Sequence, residues 1–142
     1  MTDLEKARLS LENHSICLCK GEKVLFDDSR GIAPMMKFIA EGRDLKGWSA
    51  ADVIVGKAAA MLFVKAGVKA VHGKVMSKKA RDYLLLHSLE CSCETECEKI
   101  INREGTDICP MEKAVDETED FEEAYLILKE KTEQMRRKNE TH

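Results

Sequence analysis

The spacing of apolar and polar residues predicts that the chain begins with a helix followed by a hairpin. Apolar residues at helical spacing favour an amphipathic helix over residues 3–13. Residues 15–20 and 22–27 have the composition of two short strands, and Gly21 between them favours a tight antiparallel turn. The first strands are therefore expected to be neighbours in one sheet.

A second helix is predicted to start at Ser29, because apolar residues recur at helical spacing through Ala40. Pro34 would lie in the first turn, where its missing N–H is harmless. Gly42 supplies a C-terminal stop. Residues 43–49 are then expected to form a polar loop.

The middle of the chain alternates strands with single helices. Residues 52–55 form a short apolar run that is typical of a buried parallel strand, and residues 58–64 form a helix rich in small side chains. Residues 68–76 are expected to form the next strand. Ser77 would cap a helix that runs to about His87.

The last part of the chain is expected to hold one more strand and then only helices. The strand carries Cys91 and Cys93, and helices are predicted from Cys97 to Arg103, from Pro110, and around Phe121. Strands joined by single helices need right-handed crossovers in a parallel sheet. The whole order therefore predicts an α/β protein, a three-layer α/β/α sandwich with five mostly parallel strands in a mixed sheet.

Charge is unevenly distributed although the 142 residues carry a net charge of only −3. Residues 57–81 contain seven bases and no acid, and residues 116–123 contain six acids and no base. The two runs could form an anion-attracting face beside an acidic arm. Solvated helix surfaces are the preferred interpretation of both runs, and the net charge gives no signature of nucleic-acid binding.

The sequence has neither a signal peptide nor an apolar run long enough to span a membrane, so a cytoplasmic protein without a membrane partner is expected. Reduced thiols are then expected for the six cysteines. The spacing of Cys91, Cys93 and Cys97 does not match a standard zinc site, and small apolar side chains on a sheet face explain these residues without metal. No metal or other cofactor is predicted.

Three sequence blocks, Ser29–Pro34, Asp52–Ala60 and Ile100–Glu112, resemble a known family. Together with the element order they are similar to the bacterial and archaeal domain-of-unknown-function family 1893, which is placed in the cytidine deaminase-like superfamily. The resemblance spans residues of about 4–115. That family has no established activity, so the resemblance implies a fold and a site location rather than a reaction.

The resemblance implies a cytidine deaminase-like domain over residues 1–115. Residues 116–142 would form a C-terminal helical extension that packs on the domain or pairs with a second copy in a homodimer. Zinc deaminases need His-x-Glu or Cys-x-Glu after the second strand and Pro-Cys-x-x-Cys after the third. The matching positions here are Ser29-Arg30-Gly31 and Gly56 to Ala60, which supply no zinc ligand and no glutamate, so zinc-independent chemistry is expected.

The sheet geometry nevertheless predicts a binding site. Ligands of open α/β sheets bind beyond the carboxyl ends of the strands, where helix N-termini present free N–H groups. Helices that start near Ser29 and Gly56 would both point there. Arg30, Gly31 and Lys57 lie at or next to these two helix starts. The predicted ligand is a small anionic molecule: a phosphate, a carboxylate or a nucleotide.

Lys57 is the first candidate for a catalytic residue, because a cation at a helix N-terminus opposes the helix dipole and such local conflicts mark functional sites. It would clamp an anion or act as a base or nucleophile; the alternative is a solvated surface lysine. Asp52 would orient Lys57, bind a ribose hydroxyl, or cap a loop. Asn102, Arg103 and Thr106 would close over the pocket or only form a turn.

Cys109 is the second catalytic candidate, since a thiol at a helix start can become nucleophilic. The alternative hypothesis is a thiol, sulfur-transfer or redox role, and it resembles the role of the formate dehydrogenase accessory sulfurtransferase. A structural cysteine is the simpler interpretation.

A third hypothesis is a non-catalytic module that binds RNA or an acidic protein through residues 65–81. Aromatic residues make up only 5% of the chain, so few side chains are available to stack on nucleic-acid bases.

Overall fold

The computed structural model describes residues 1–102 and 104–140, so Arg103 lies outside the described residues. The described part forms five strands and six helices. Their bounds are α1 Asp3–Leu11, β1 Ile16–Lys20, β2 Lys23–Asp27, α2 Ala33–Ala40, β3 Ser49–Val55, α3 Lys57–Ala66, β4 Ala70–Ser77, α4 Lys78–Leu86, β5 Glu90–Cys97, α5 Pro110–Val115 and α6 Phe121–Glu140.

The five strands form one mixed sheet in the order β2-β1-β3-β4-β5. Strands β3, β4 and β5 are parallel, whereas β1 is antiparallel to both of its neighbours. Gly21 makes the predicted hairpin turn with a φ of 62°, a value that glycine adopts without strain. The prediction of an α/β protein with a mixed five-stranded sheet is thus confirmed, with two parallel and two antiparallel pairings.

Helices lie on both faces of the sheet. Helix α1 covers one face, where Ala7 and Leu11 pack on Cys17, Cys19 and Ala51. The larger core lies on the other face and takes residues from every later helix. Because α1 packs against β1 and β3 much more than against β4, the β4–β5 part of its face is less completely covered.

Helix α3 is the centre of the larger core. All of its residues from Lys57 to Phe63 are buried, and three consecutive alanines allow the helix to lie close to its neighbours. The final helix, α6, packs on α3 through Ala124 and Leu128, which are fully buried. The carboxyl-terminal segment is thereby tied to the same core as the sheet.

Two predicted helix positions are wrong. Helix α2 begins at Ala33 rather than Ser29, because Gly31 adopts a φ of 58° in a preceding turn. The helix expected from Cys97 to Arg103 is absent from its described part: β5 continues to Cys97 by pairing with β4, and Ile101 then forms a bridge with Ile108. Strand pairing, which the local pattern does not contain, decides this segment.

The cysteines are free thiols in the described structure. Cys17 and Cys19 share the face under α1, where burial raises the pKa of Cys17 to about 12. Cys91 and Cys93 share the opposite face and pack against the larger core, as their spacing predicts. None of the helices within residues 1–102 and 104–140 is both long and apolar enough to cross a membrane.

Candidate functional site

A pocket of about 250 Å³ opens where the N-termini of α3 and α4 face α5. It lies beyond the carboxyl ends of β3 and β4, the edge at which ligands of such sheets bind. Charged side chains dominate its lining. They are the lysines Lys57, Lys79, Lys99 and Lys113 and the carboxylates Glu98, Glu112 and Asp116.

The N-terminus of α3 already holds an anion, the carboxylate of Glu112. Its Oε1 accepts a hydrogen bond from the backbone N–H of Lys57 at 2.7 Å, and its Oε2 accepts one from Ala58 at 2.8 Å. Burial raises the pKa of Glu112, while these two hydrogen bonds oppose the rise. Helix α3 has no capping side chain at Gly56 and no acid in its first turn. The acceptor for its first N–H groups therefore comes from α5.

Lys57 is buried, with 5% of its surface exposed, and does not extend into water. Its Nζ donates to the backbone carbonyl of Asp116 at 3.1 Å and to Oε1 of Glu119 at 3.0 Å. The nearby carboxylates offset the charge that the helix N-terminus disfavours. In this arrangement Lys57 ties α3 to the connection between α5 and α6.

The basic and acidic runs of the sequence pair with each other. Ion pairs join Lys57 to Glu119, Lys65 to Glu122 and Lys79 to Asp116. The Lys65 ammonium also lies 5.0 Å from the centre of the Tyr125 ring. Part of the basic run, which the third hypothesis offers to outside partners, therefore pairs with the chain's own acidic segment.

Around the pocket, the other lysines differ in their partners. Lys79 and Lys113 form exposed ion pairs with Asp116 and Asp107. Lys99 has no carboxylate within ion-pair distance in the described part of the chain. Ser77 caps α4 by accepting a hydrogen bond from the N–H of Ala80 at 3.1 Å.

Several other predicted site residues do not line this pocket. Ser29, Arg30 and Gly31 are exposed in the turn before α2. Asn102 and Thr106 bond to each other: Asn102 Oδ1 accepts from the N–H of Thr106 at 3.1 Å, which closes a turn. Asn102 and Thr106 therefore form a turn, which is one of the two roles that the sequence analysis proposed for them.

Asp52 is buried and separate from the pocket. Burial raises the pKa of its carboxyl to about 8, while the nearby backbone N–H groups of Val53 and Ile54 oppose the rise. No hydrogen bond or ion pair joins it to Lys57 in the segments that the structure describes. The predicted orienting contact between the two side chains is therefore not present in this structure.

Cys109 is half-buried at the start of α5, a helix of only six residues. Its N–H donates to the carbonyl of Ile100 at 2.9 Å, and its own carbonyl accepts from Lys113 at 3.1 Å. Within residues 1–102 and 104–140, no group of three or more metal-binding side chains is placed to hold a metal ion.

Comparison with known proteins agrees with the sequence blocks. The model of the domain of unknown function DUF1893 matches residues 5–132. The chain belongs to the DUF1893 family. A crystal structure of a DUF1893 family protein from Thermotoga maritima is similar, with 27% identity and a TM-score of 0.79, and the alignment covers 87% of this chain and 84% of that one. The curated proteins include no match.

The DUF1893 match includes every residue that lines the pocket. Sequence reasoning proposed Lys57 but missed Glu112, Asp116 and Glu119, the groups that surround it. One signal was available: α3 starts at a glycine without an acidic or hydroxyl cap, so its first N–H groups need an acceptor from elsewhere. The sequence does not show that this acceptor is Glu112.

The fit between Gly56 and Glu112 gives a first prediction. A Cβ at Gly56 would lie 2.3 Å from Oε1 of Glu112, although the backbone angles of Gly56 suit any residue. Gly56→Ala will therefore displace the Glu112 carboxylate from the N–H groups of Lys57 and Ala58 and lower the free energy of unfolding by about 2 kcal/mol, the order of the cost of losing such hydrogen bonds. Urea denaturation measures the loss. In a Glu112→Ala background the same change should cost far less; equal costs would contradict the steric explanation.

Proposed function

We propose that the pocket between α3, α4 and α5 binds a small anionic molecule that carries a phosphate or a carboxylate. The observation that supports this most is the convergence of four lysines on one pocket beside the N-terminus of α4. Four lysines face three lining carboxylates, and Ser77 adds a hydroxyl at the helix N-terminus. Cations and helix N–H groups together are the usual recognition elements for phosphate.

Lys79, Lys99 and Lys113 are the proposed ligand contacts. Lys99 has no carboxylate partner in the described residues, and the partners of the other two are exposed. Exposed ion pairs contribute roughly 0–1 kcal/mol, so an incoming anion can replace them at little cost. Lys57 would keep its place as the tie to the α5–α6 connection.

Glu112 gives the proposed site a chemical capability besides binding. Its carboxylate is held beside the lysines, and burial raises its pKa. Carboxyls of this kind serve as general acids and bases because they exchange a proton closer to neutral pH. A zinc-independent enzyme that acts on an anionic metabolite or nucleotide is the extension of the proposal that this residue supports.

The same proposal includes a relationship between this fold and that of the cytidine deaminases. Its support is the element order, in which α2 follows the second strand and α3 follows the third. The segments that would carry the zinc ligands of a deaminase are 29–31 and 56–60, and their residues cannot bind zinc. Of these two segments, only 56–60 reaches the proposed site, through Lys57, so the site would overlap one side of a deaminase site and use other side chains.

A thermal-stability panel tests the binding proposal. The protein is heated with inorganic phosphate, nucleoside mono- and triphosphates, and small dicarboxylates at equal ionic strength. A ligand at a hundred times its Kd adds about 2.7 kcal/mol, which raises the Tm by several degrees in a chain of this size. We expect at least one of these anions to do so.

The matched variants use two adjacent lysines of α4. Lys79 lines the pocket, whereas its neighbour Lys78 does not. The Tm increase should disappear in the double variant Lys79→Met/Lys99→Met and remain in Lys78→Met. A flat panel, or an equal loss in Lys78→Met, would overturn the proposal.

A further inference from the structure

A second cavity lies on the opposite face of the sheet, under α1. It has a volume of about 210 Å³ and is lined by Arg8 from the helix and by His72, Glu90 and Ser92 from the two neighbouring strands. This is the β4–β5 region that α1 leaves less completely covered. The cavity is separate from the proposed anion pocket.

His72 is the unusual residue of this cavity. Only 2% of its surface is exposed, yet its Nε2 has no hydrogen-bond partner in the described structure. Its Nδ1 lies 2.8 Å from Oγ of Ser92, and its Nε2 lies 3.6 Å from Oε2 of Glu94. Burial lowers the pKa of His72, which favours a neutral ring that can accept a proton.

Strand register places these three side chains in line. Ser92 is the β5 partner of His72 in the parallel pairing, and Glu94 follows two residues later on the same face. Ser92 and His72 line the cavity, whereas Glu94 does not. The buried imidazole therefore lies between the Ser92 hydroxyl at Nδ1 and the exposed Glu94 carboxylate near Nε2, the order in which a base activates a nucleophile.

We propose that Ser92 is a nucleophile for acyl transfer from a small ester or thioester, with His72 as its base and Glu94 as the residue that positions His72. Arg8 lines the same cavity and has no ion-pair partner in the described residues. Its guanidinium would face the negative charge that develops on the carbonyl oxygen. The cavity is smaller than the 300–1,000 Å³ usual for ligand sites, which favours a short acyl group.

The proposed reaction has two steps. Oγ of Ser92 forms a bond to the carbonyl carbon while its proton passes to Nδ1 of His72; the bond to the alcohol or thiol then breaks, and the leaving group takes that proton. In the second step water gives its proton to His72 and attacks the acyl-serine. The carboxylic acid leaves, and the Ser92 hydroxyl recovers its proton.

A fluorophosphonate probe tests the nucleophile directly in the full chain. Attack by Ser92 would displace fluoride and leave a phosphonyl group whose position peptide mass spectrometry identifies. We expect Ser92 to be labelled at least tenfold faster than Ser29, which is also exposed. Hydrolysis of p-nitrophenyl acetate should disappear in Ser92→Ala and persist in Ser29→Ala.

Two further variants separate chemistry from folding. His72→Gln should abolish labelling but could also disturb the buried site. Glu94 is 60% exposed, so Glu94→Gln should keep the Tm of the wild type while the labelling rate falls several-fold. Labelling of Ser92 no faster than that of Ser29, or a Glu94→Gln variant that is labelled as fast as the wild type, would overturn the proposal.

Discussion

Glu112→Ala will lower the free energy of unfolding by about 3 kcal/mol. The substitution removes the acceptor of two charge-assisted hydrogen bonds, each worth roughly 1.5–3 kcal/mol, and leaves the N–H groups of Lys57 and Ala58 unpartnered at a partly buried helix end. Some of that loss is recovered when water reaches the cleft. Chemical denaturation with urea measures the difference between the variant and the wild type.

Two controls locate the effect at the N-terminus of α3. Glu117→Ala removes an exposed acid from the neighbouring segment and should change the stability by less than about 0.5 kcal/mol. Glu112→Gln keeps one acceptor oxygen and should fall between the alanine variant and the wild type. If Glu112→Ala and Glu117→Ala are equally stable, Glu112 does not cap α3 in solution.

Added anion should partly rescue Glu112→Ala. The substitution vacates a helix N-terminus beside Lys57, and such a position binds phosphate. Millimolar phosphate is therefore expected to stabilise the alanine variant more than it stabilises Glu112→Gln, whose side chain still fills the space. Equal stabilisation of the two variants would show that phosphate does not enter the vacated position.

Asp52→Asn will become progressively more stable than the wild type as the pH rises from about 4 to 8. The folded protein holds the pKa of Asp52 at about 8, above the ordinary value of 3.8, because the carboxyl is buried. A carboxyl whose pKa is raised by folding stabilises the fold fully at a pH below the pKa of the unfolded chain. This stabilisation is lost as the pH rises to the pKa of the folded protein. The wild type should lose about 1.4 kcal/mol per pH unit relative to the variant.

Denaturation at several pH values measures this difference, and Asp82→Asn serves as the control. Asp82 is an exposed aspartate on α4, so its substitution controls for the loss of a surface carboxylate. Asparagine at position 52 keeps the size of the aspartate side chain and removes only its ability to ionise. A difference between Asp52→Asn and the wild type that is constant from pH 4 to pH 8 would contradict a buried carboxyl of raised pKa.

Local signals predicted most of the sheet and its crossover helices. Gly21 marks the hairpin and Ser77 caps α4, and each of these features is visible within a few residues of sequence. The extension of β5 was not predictable in this way. Residues 94–97 become a strand because β4 offers them a pairing edge, which is a tertiary effect.

The candidate site shows the same division. The conflict between Lys57 and its helix dipole was visible in the sequence and pointed to the N-terminus of α3, where the pocket lies. The groups that resolve it, Glu112 and Glu119, are 55 and 62 residues away along the chain. Only the docking of α5 and α6 on α3 brings them to Lys57, and no short-range pattern encodes that contact.

The ion pairs between the basic and acidic runs have an evolutionary consequence. Ion pairs join positions 57 and 119, 65 and 122, and 79 and 116, and so link α3 and α4 to the α5–α6 connection and the start of α6. Losing one member leaves its partner without a counter-charge, most severely at the buried Lys57. Substitutions at positions 57 and 119 in relatives should therefore occur together, whereas the exposed pair of positions 79 and 116 can lose one charge at little cost.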